Sequence, residues 1–226
     1  MIDFESLWLT VRLAIITTLI LLVVSIPLCY WLAYSKFKFK AAVEAVVSLP
    51  LVLPPSVLGF YLLVAFSPEN WFGDFLNQCF DVRLVFTFEG LIISSVIYSL
   101  PFMVHPIQSG LNSLPISLRE ASFTLGKSKF TTLTKILLPN IKSSLLTGIV
   151  LTFAHTIGEF GVVLMVGGSI PNETKVISIA IYDEVQSMNY ESANMHSGIL
   201  FLFSFLILLI VYLVNNSFSN ANPLKK

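Results

Sequence analysis

The sequence predicts an all-α integral membrane protein: one transmembrane domain over residues 1–226, with five spans and one broken or re-entrant segment. Three observations predict it. First, of the 226 residues 55% are hydrophobic and only 12% are charged, against about 45–50% and about 25% in a soluble domain. So few charges do not cover the surface of a soluble globule of this size. The same balance excludes a disordered chain, which needs low hydrophobicity and high charge. Second, uncharged runs of about 20 residues recur, the length at which a helix rising about 1.5 Å per residue crosses a roughly 30 Å hydrocarbon core. Third, the few charges separate by sign between successive gaps. The formal net charge is zero, so no nucleic-acid partner is expected. Cys29 and Cys79 form neither a disulfide framework nor a metal motif.

The first span is residues 13–35, between Arg12 and Lys36. It reads as a retained span rather than a cleaved signal, because its apolar run exceeds the roughly 7–15 residues of a signal peptide. Its leading flank carries Asp3 and Glu5, and its far end carries Tyr30, Trp31 and Tyr34, aromatics suited to a membrane interface. The second span is 45–68 and the third 90–118, whose far end reads as a loop. The fourth, 143–158, is short and is separated from the apolar run 160–172 only by Glu159. The last is 192–224, with an apolar centre at 198–214. Residues 158–185 are left irregular, as a re-entrant segment, a sixth short span or a helix on the outer face.

Alternation of five spans puts Lys36, Lys38, Lys40, Arg119, Lys127, Lys129, Lys135, Lys142, Lys225 and Lys226 on one side. Only Arg12, Arg83 and Lys175 fall on the other. The excess of basic residues marks the cytoplasmic side. The N-terminus is therefore expected outside and the C-terminus in the cytoplasm of a multi-pass cytoplasmic-membrane protein in contact with lipid.

The second span contains Pro50, Pro54, Pro55 and Gly59. Proline removes a backbone donor and clashes with the preceding turn, and the freed carbonyls need partners inside a membrane. A broken helix packed on others or lining a wet pathway is expected, with a simple kink as the alternative.

Residues 111–141 read as helix, glycine turn, helix. Pro115 suits a first helical turn and Gly126 the position just past a helix end. Ser128 suits a cap, and Pro139 is expected to end the second helix. Ile116, Phe123 and Leu125, then Phe130, Leu133, Ile136 and Leu137, give each helix an apolar side. Such a side either packs on its own bundle or wants a protein partner. Residues 121–128 nearly match the phosphate loop G-x-x-x-x-G-K-[ST], with Ala121 for the first glycine. That loop must follow a strand, and here a proline-started helix precedes it, so nucleotide binding by this chain is not expected.

Glu120, Ala121 and Ser122, three residues, Gly126, nine residues, then Ile136-Leu137-Leu138-Pro139 resemble the E-A-A-x3-G-x9-I-x-L-P loop of ABC importer permeases. The spacing agrees throughout, and Ser122 replaces the second alanine. The resemblance implies the transmembrane domain of a type I ABC importer. It also implies that Glu120, Ala121, Ser122, Gly126, Ile136, Leu138 and Pro139 couple the chain to a separate ATPase subunit. ATP and Mg would then bind to that partner, with no cofactor on this chain and no catalysis by it.

Residues 49–61, including Pro54, Pro55, Ser56 and Gly59, are similar to the proline-rich second span of molybdate permeases. Residues 153–161 resemble the F-A-R-x-x-G-E-F-G signature of molybdate and sulfate-type permeases, with His155 in place of arginine. Residues 168–174, followed by 179–182, also look like the molybdate branch. The resemblance implies import of an oxyanion, molybdate before tungstate or sulfate, by a homodimer fed by an extracytoplasmic oxyanion-binding protein. Pathway or gate candidates are Pro54, Pro55, Ser56, Gly59, Thr156, Gly158, Glu159 and Gly161.

Glu159 reads in three ways. It belongs to the pathway, or pairs with His155 four residues earlier on one helix face, or accepts backbone N–H bonds at a helix break around Gly158 and Gly161. Ser56, Ser94, Ser95, Thr152 and Thr156 are hydroxyl donors in the spans, though such groups often bond their own backbone or a neighbouring helix. His105 reads as packed or interfacial. No cluster suits a nucleophile, a general base or a metal. The alternative function is an ion-coupled carrier or channel without an ATPase, which is expected to use more intramembrane carboxylates and often an internal repeat.

Overall fold

The computed structural model describes residues 3–220, and among these all regular structure is helical. Lys225 and Lys226, assigned above to the cytoplasmic side, lie outside the described residues.

Helix α1 (Phe4–Tyr34) has 31 residues, roughly 46 Å at about 1.5 Å per residue. It starts well before the uncharged run at 13. The Asp3 carboxylate caps it, accepting from the Ser6 amide at 3.0 Å and the Ser6 hydroxyl at 2.8 Å. Arg12 is accommodated because its guanidinium lies 4.5 Å from the centre of the Phe88 ring.

The proline-rich segment forms two helices, α2 (Lys40–Val52) and α3 (Pro55–Phe66), whose axes bend by 113°. The cause is local. A residue before proline avoids the helical region, and Leu53 and Pro54 take ψ values of 135° and 136°. This is a broken helix rather than a kink. Next come α4 (Trp71–Phe80), capped by Asn70, and the long α5 (Phe88–Ser113). α2 lies beside the last turns of α5, where Gln108 donates to Glu44 at 2.6 Å and Ser48 Oγ meets His105 Nε2 at 3.1 Å. α3 reaches the opposite end, where Phe66 packs with Leu84 just before α5. The broken pair therefore runs the length of α5.

After α5 come α6 (Ile116–Thr124), α7 (Lys129–Thr132), a π-helical turn (Leu133–Leu137) and α8 (Leu138–Asn140). The rod Lys129–Asn140 then bends by 80° into α9 (Lys142–Ile157). Pro139 does not end the second loop helix as expected. The wider turn before it absorbs the missing donor, and the bend falls at Ile141 instead. α9 and α10 (Gly161–Gly167) run antiparallel to α5. A Cβ on Gly110 would lie 2.7 Å from Ser144, one on Gly148 3.1 Å from Met103, and one on Gly167 2.5 Å from Leu91. α10 thus prolongs α9 along the bundle. α11 (Ile177–Gln186) then packs on the ends of α1 and α12 (Tyr190–Asn220), with the Ile177 amide donating to Thr10 Oγ1 at 2.8 Å. The Asp3 amide donates to the buried His196 Nε2 of α12 at 3.0 Å. So the irregular 158–185 resolves into the end of one crossing and a short helix at the far end of the bundle.

Helices α1, α5 and α12 are each long and apolar enough to cross a membrane, and the two bent pairs bring the candidate spans to five. The core has two main layers. One joins Leu21, Cys29, Leu32, Met103, Ile107 and Leu111 with Leu137 and Ile141 of the loop. The other joins Leu9, Leu13, Phe88, Leu91, Val163 and Ile179 at the far end.

Candidate coupling surface and transport pathway

The loop between α5 and α9 has the geometry its spacing predicts. α6 follows Pro115 and ends at Leu125, and Gly126 takes φ +71°. The Lys127 amide donates to the Ser122 carbonyl at 3.1 Å and the Gly126 amide to Phe123 at 2.9 Å. This pair of bonds satisfies carbonyls left open at a helix end and requires a left-handed residue at 126. Ser128 Oγ accepts from the Thr131 amide at 3.1 Å and starts α7.

Ser122, the departure from the E-A-A pattern, is buried and meets Thr132 Oγ1 at 2.8 Å. The Thr132 hydroxyl donates to the Ser128 carbonyl at 2.9 Å, so Ser122 is the donor between the two hydroxyls. This bond ties α6 to α7. Leu137 is buried and anchors the rod in the core. The other apolar residues do not all turn inward: Ile116 is 59%, Leu125 75% and Phe130 75% exposed. Glu120, Ala121 and Pro139 are also exposed, while Ile136 and Leu138 are half-buried. The apolar residues of α6 and the tip of the hairpin are thus left unpacked, while the rod from Leu133 onward packs on the core. Gly126 follows a helix rather than a strand, which removes the likeness to a phosphate-binding loop.

The second candidate region lies where α3 crosses α10. A Cβ on Gly161 would lie 2.8 Å from Pro55 Cβ and 3.4 Å from the Ser56 amide, and one on Gly59 2.8 Å from Met165 Cβ. Only glycine allows backbones this close. Pro55, Ser56, Gly59 and Gly161, far apart in sequence, are therefore brought together, with Pro54 and Ser56 exposed at the start of α3. Thr156, Gly158 and Glu159 form the break between α9 and α10. Thr156 donates to the Thr152 carbonyl at 2.9 Å and lies 3.1 Å from Ser99 Oγ on α5. Ser178 Oγ donates to the Glu159 carbonyl at 2.6 Å.

The Glu159 side chain matches neither structural expectation. α9 ends at Ile157, so the helical geometry that would face Glu159 to His155 is lost. His155 instead stacks on Phe102, ring centres 3.9 Å apart, beside Tyr98 at 4.7 Å. Nor does the carboxylate accept backbone N–H bonds. Glu159 is 3% exposed, and the side chain set against its carboxyl is Ser95 of α5. The Thr152 hydroxyl is buried without a partner, whereas Ser94 bonds the Gly90 carbonyl at 2.7 Å. The break between α9 and α10 thus holds one buried carboxyl beside the Ser95 hydroxyl.

Sequence reading passed over Ser99 and Thr132. The signal was present for Ser99: Ser95 and Ser99, like Thr152 and Thr156, are four residues apart and share helix faces. It also passed over Arg119, whose guanidinium lies 4.3 Å from the centre of the Tyr34 ring.

The chain matches the family model described as binding-protein-dependent transport system inner membrane component over residues 25–223. It is 43% identical over 210 residues to the "Molybdenum transport system permease protein ModB" of Azotobacter vinelandii, covering 93% of each chain. It is 29% identical over 208 residues to a "Probable sulfate transport system permease protein" of Prototheca wickerhamii, covering 92% of this chain and 80% of the relative. Its fold matches a chain in the crystal structure of a bacterial ABC transporter involved in import of the acidic polysaccharide alginate. There the TM-score is 0.80 at 18% identity, covering 96% of this chain and 80% of that one. With the helix-glycine-helix loop and a proline-broken second span in place, the chain belongs to the binding-protein-dependent transport system inner membrane components, the ABC importer permeases, in their molybdate-type branch.

Proposed function

We propose that this chain is the permease subunit of an ATP-driven importer that carries molybdate across the cytoplasmic membrane. The observation that carries the coupling role is the hairpin itself. Leu125 and Phe130 flank a left-handed glycine and stand exposed on a loop otherwise anchored in the core. An unpacked apolar surface on a rigid support suits a protein partner, here an ATPase subunit that holds ATP and Mg. Similarity to the molybdenum permease supports the substrate, and tungstate and sulfate are the competing oxyanions.

In this reading two copies, each a single transmembrane domain, pair around one pathway, and an extracytoplasmic binding protein delivers the anion. The basic loop faces the cytoplasm, the N-terminus lies outside and the C-terminus inside. Closure of the ATPases on ATP moves the hairpin. The Ser122–Thr132 bond and buried Leu137 carry that movement to the bend at Ile141 and along α9. α9 leads to Gly158 and to the α3–α10 contact at Gly161 and Pro55. ATP biases the equilibrium between inward- and outward-facing states, as any ligand shifts a population it binds unequally. Hydroxyls and helix ends, rather than fixed charges, would pass the anion, so tight selection falls to the binding protein.

The test is labelled molybdate uptake in cells that carry the transporter with its partners, challenged with excess tungstate or sulfate. Molybdate uptake that resists excess sulfate supports the assignment. Uptake of sulfate in preference to molybdate overturns it.

A further inference from the structure

A cleft of about 360 Å³ opens between the end of α1 and the α6–α7 hairpin, lined among others by Tyr30, Trp31, Tyr34, Arg119, Phe123 and Lys129. Two cations line it and no carboxylate does. The Arg119 guanidinium carbon lies 4.3 Å from the Tyr34 ring centre and 5.9 Å from that of Phe123. Arg119 Nε is buried without a hydrogen-bond partner. Among the described residues neither Arg119 nor Lys129 has a carboxylate in ion-pair range. Two cations lining an open cleft that holds no carboxylate suit an anion.

The place in the fold narrows the anion. Tyr30, Trp31 and Tyr34 form the last turns of a membrane-spanning helix, where headgroups lie and amphipathic rings collect. Trp31 is 39% exposed, and Val24, two turns back on the same face, is 47% exposed. An apolar strip thus runs from the cleft along the lipid-facing side of α1.

We propose that this cleft binds one anionic phospholipid. Its phosphate sits between Arg119 and Lys129, its headgroup beside Tyr30 and Tyr34, and an acyl chain along Trp31 and Val24. Guanidinium matches phosphate oxygens in bidentate geometry, and basic pockets at helix ends suit acidic headgroups. Bound lipid ties α1 to α6, the helix that carries Glu120. The site rests only on the membrane setting of the chain, whereas its influence on coupling rests on the ATPase-docking role proposed above.

The test is thermal unfolding of the full chain in neutral detergent, titrated with dioleoyl phosphatidylglycerol, dioleoyl phosphatidylcholine or inorganic phosphate. Native mass spectrometry counts the retained lipids. Phosphatidylglycerol is expected to stabilise the chain and saturate at about one lipid per chain, with no such plateau for phosphatidylcholine. Lys129→Gln and Arg119→Gln are each expected to weaken that binding roughly fivefold. Lys129 is exposed, so its variant keeps the fold if Arg119→Gln does not. Equal responses to the two lipids, or unchanged phosphatidylglycerol affinity in Lys129→Gln, overturns the proposal. Equal protection by inorganic phosphate assigns a free-anion site and overturns the lipid. No arm depends on transport, so failure here leaves the molybdate assignment standing.

Discussion

Gly59 and Gly161 set the closest approach where α3 crosses α10, because each faces a neighbour that a Cβ would overlap. Adding Val at 161 places carbon 2.8 Å from Pro55 Cβ. Overpacking of this kind costs about 1–3 kcal/mol, so Gly161→Val is expected to lower the thermal unfolding midpoint in detergent, with Gly158→Ala as control. Gly158 has only its own helix carbonyls near, at 3.8 Å. Asp3 offers a second residue-scale test. Partial burial pushes its carboxyl up, but bonds from the Ser6 amide and hydroxyl, with the charges of Lys175 and His196, bring it below its ordinary value. A lowered folded value means that its contribution is present above the unfolded value of about 3.9 and fades as pH falls below it. Asp3→Asn is expected to flatten the pH dependence of the unfolding midpoint between about pH 5 and 3. An unchanged slope removes Asp3 from the account. Single residues were also where sequence reading failed most. Pairing of Glu159 with His155 needs a helix that continues to 159, and the end of α9 at Ile157 removes that geometry, while the break itself, read at Gly158, brings the carboxyl no backbone N–H.

The hairpin α6–α7 shows which elements a sequence discloses. A glycine fixed between a proline start and a serine cap constrains backbone conformation locally, so Gly126 and Ser128 were legible without any partner. The π turn at Leu133–Leu137 and the bend at Ile141 were not, because they depend on packing of Leu137 and Ile141 against α1 and α5. Nothing lies within 4 Å of a Cβ on Gly126, so substitution there acts through the positive φ alone. Gly126→Asn is expected to keep ATPase co-purification and Gly126→Val to lose it, because asparagine tolerates the left-handed region and a β-branched residue does not. Equal co-purification of both variants removes the turn from the docking account. Ser122→Ala deletes one buried hydrogen bond, worth about 1 kcal/mol. Amides of residues 122–132 are expected to exchange roughly fivefold faster in that variant, and unchanged exchange would show the Ser122–Thr132 bond to be dispensable.

At the scale of the molecule, composition disclosed the membrane setting and the approximate number of spans, because both follow from apolar length alone. The crossing of α3 and α10 was less visible, since it depends on contacts between segments about a hundred residues apart in sequence. The proposed orientation puts the basic hairpin in the cytoplasm, and a tag at each terminus tests it: labelling from outside is expected at the N-terminus and not at the C-terminus. The central claim is that transport by this chain is driven by a partner's ATP. The most direct measurement is molybdate entry into vesicles holding the chain and its ATPase, with binding protein added outside and ATP enclosed. The account predicts uptake that requires both ATP and the ATPase and that is lost in Gly126→Val. Molybdate entry through the chain alone, without ATPase or ATP, contradicts it.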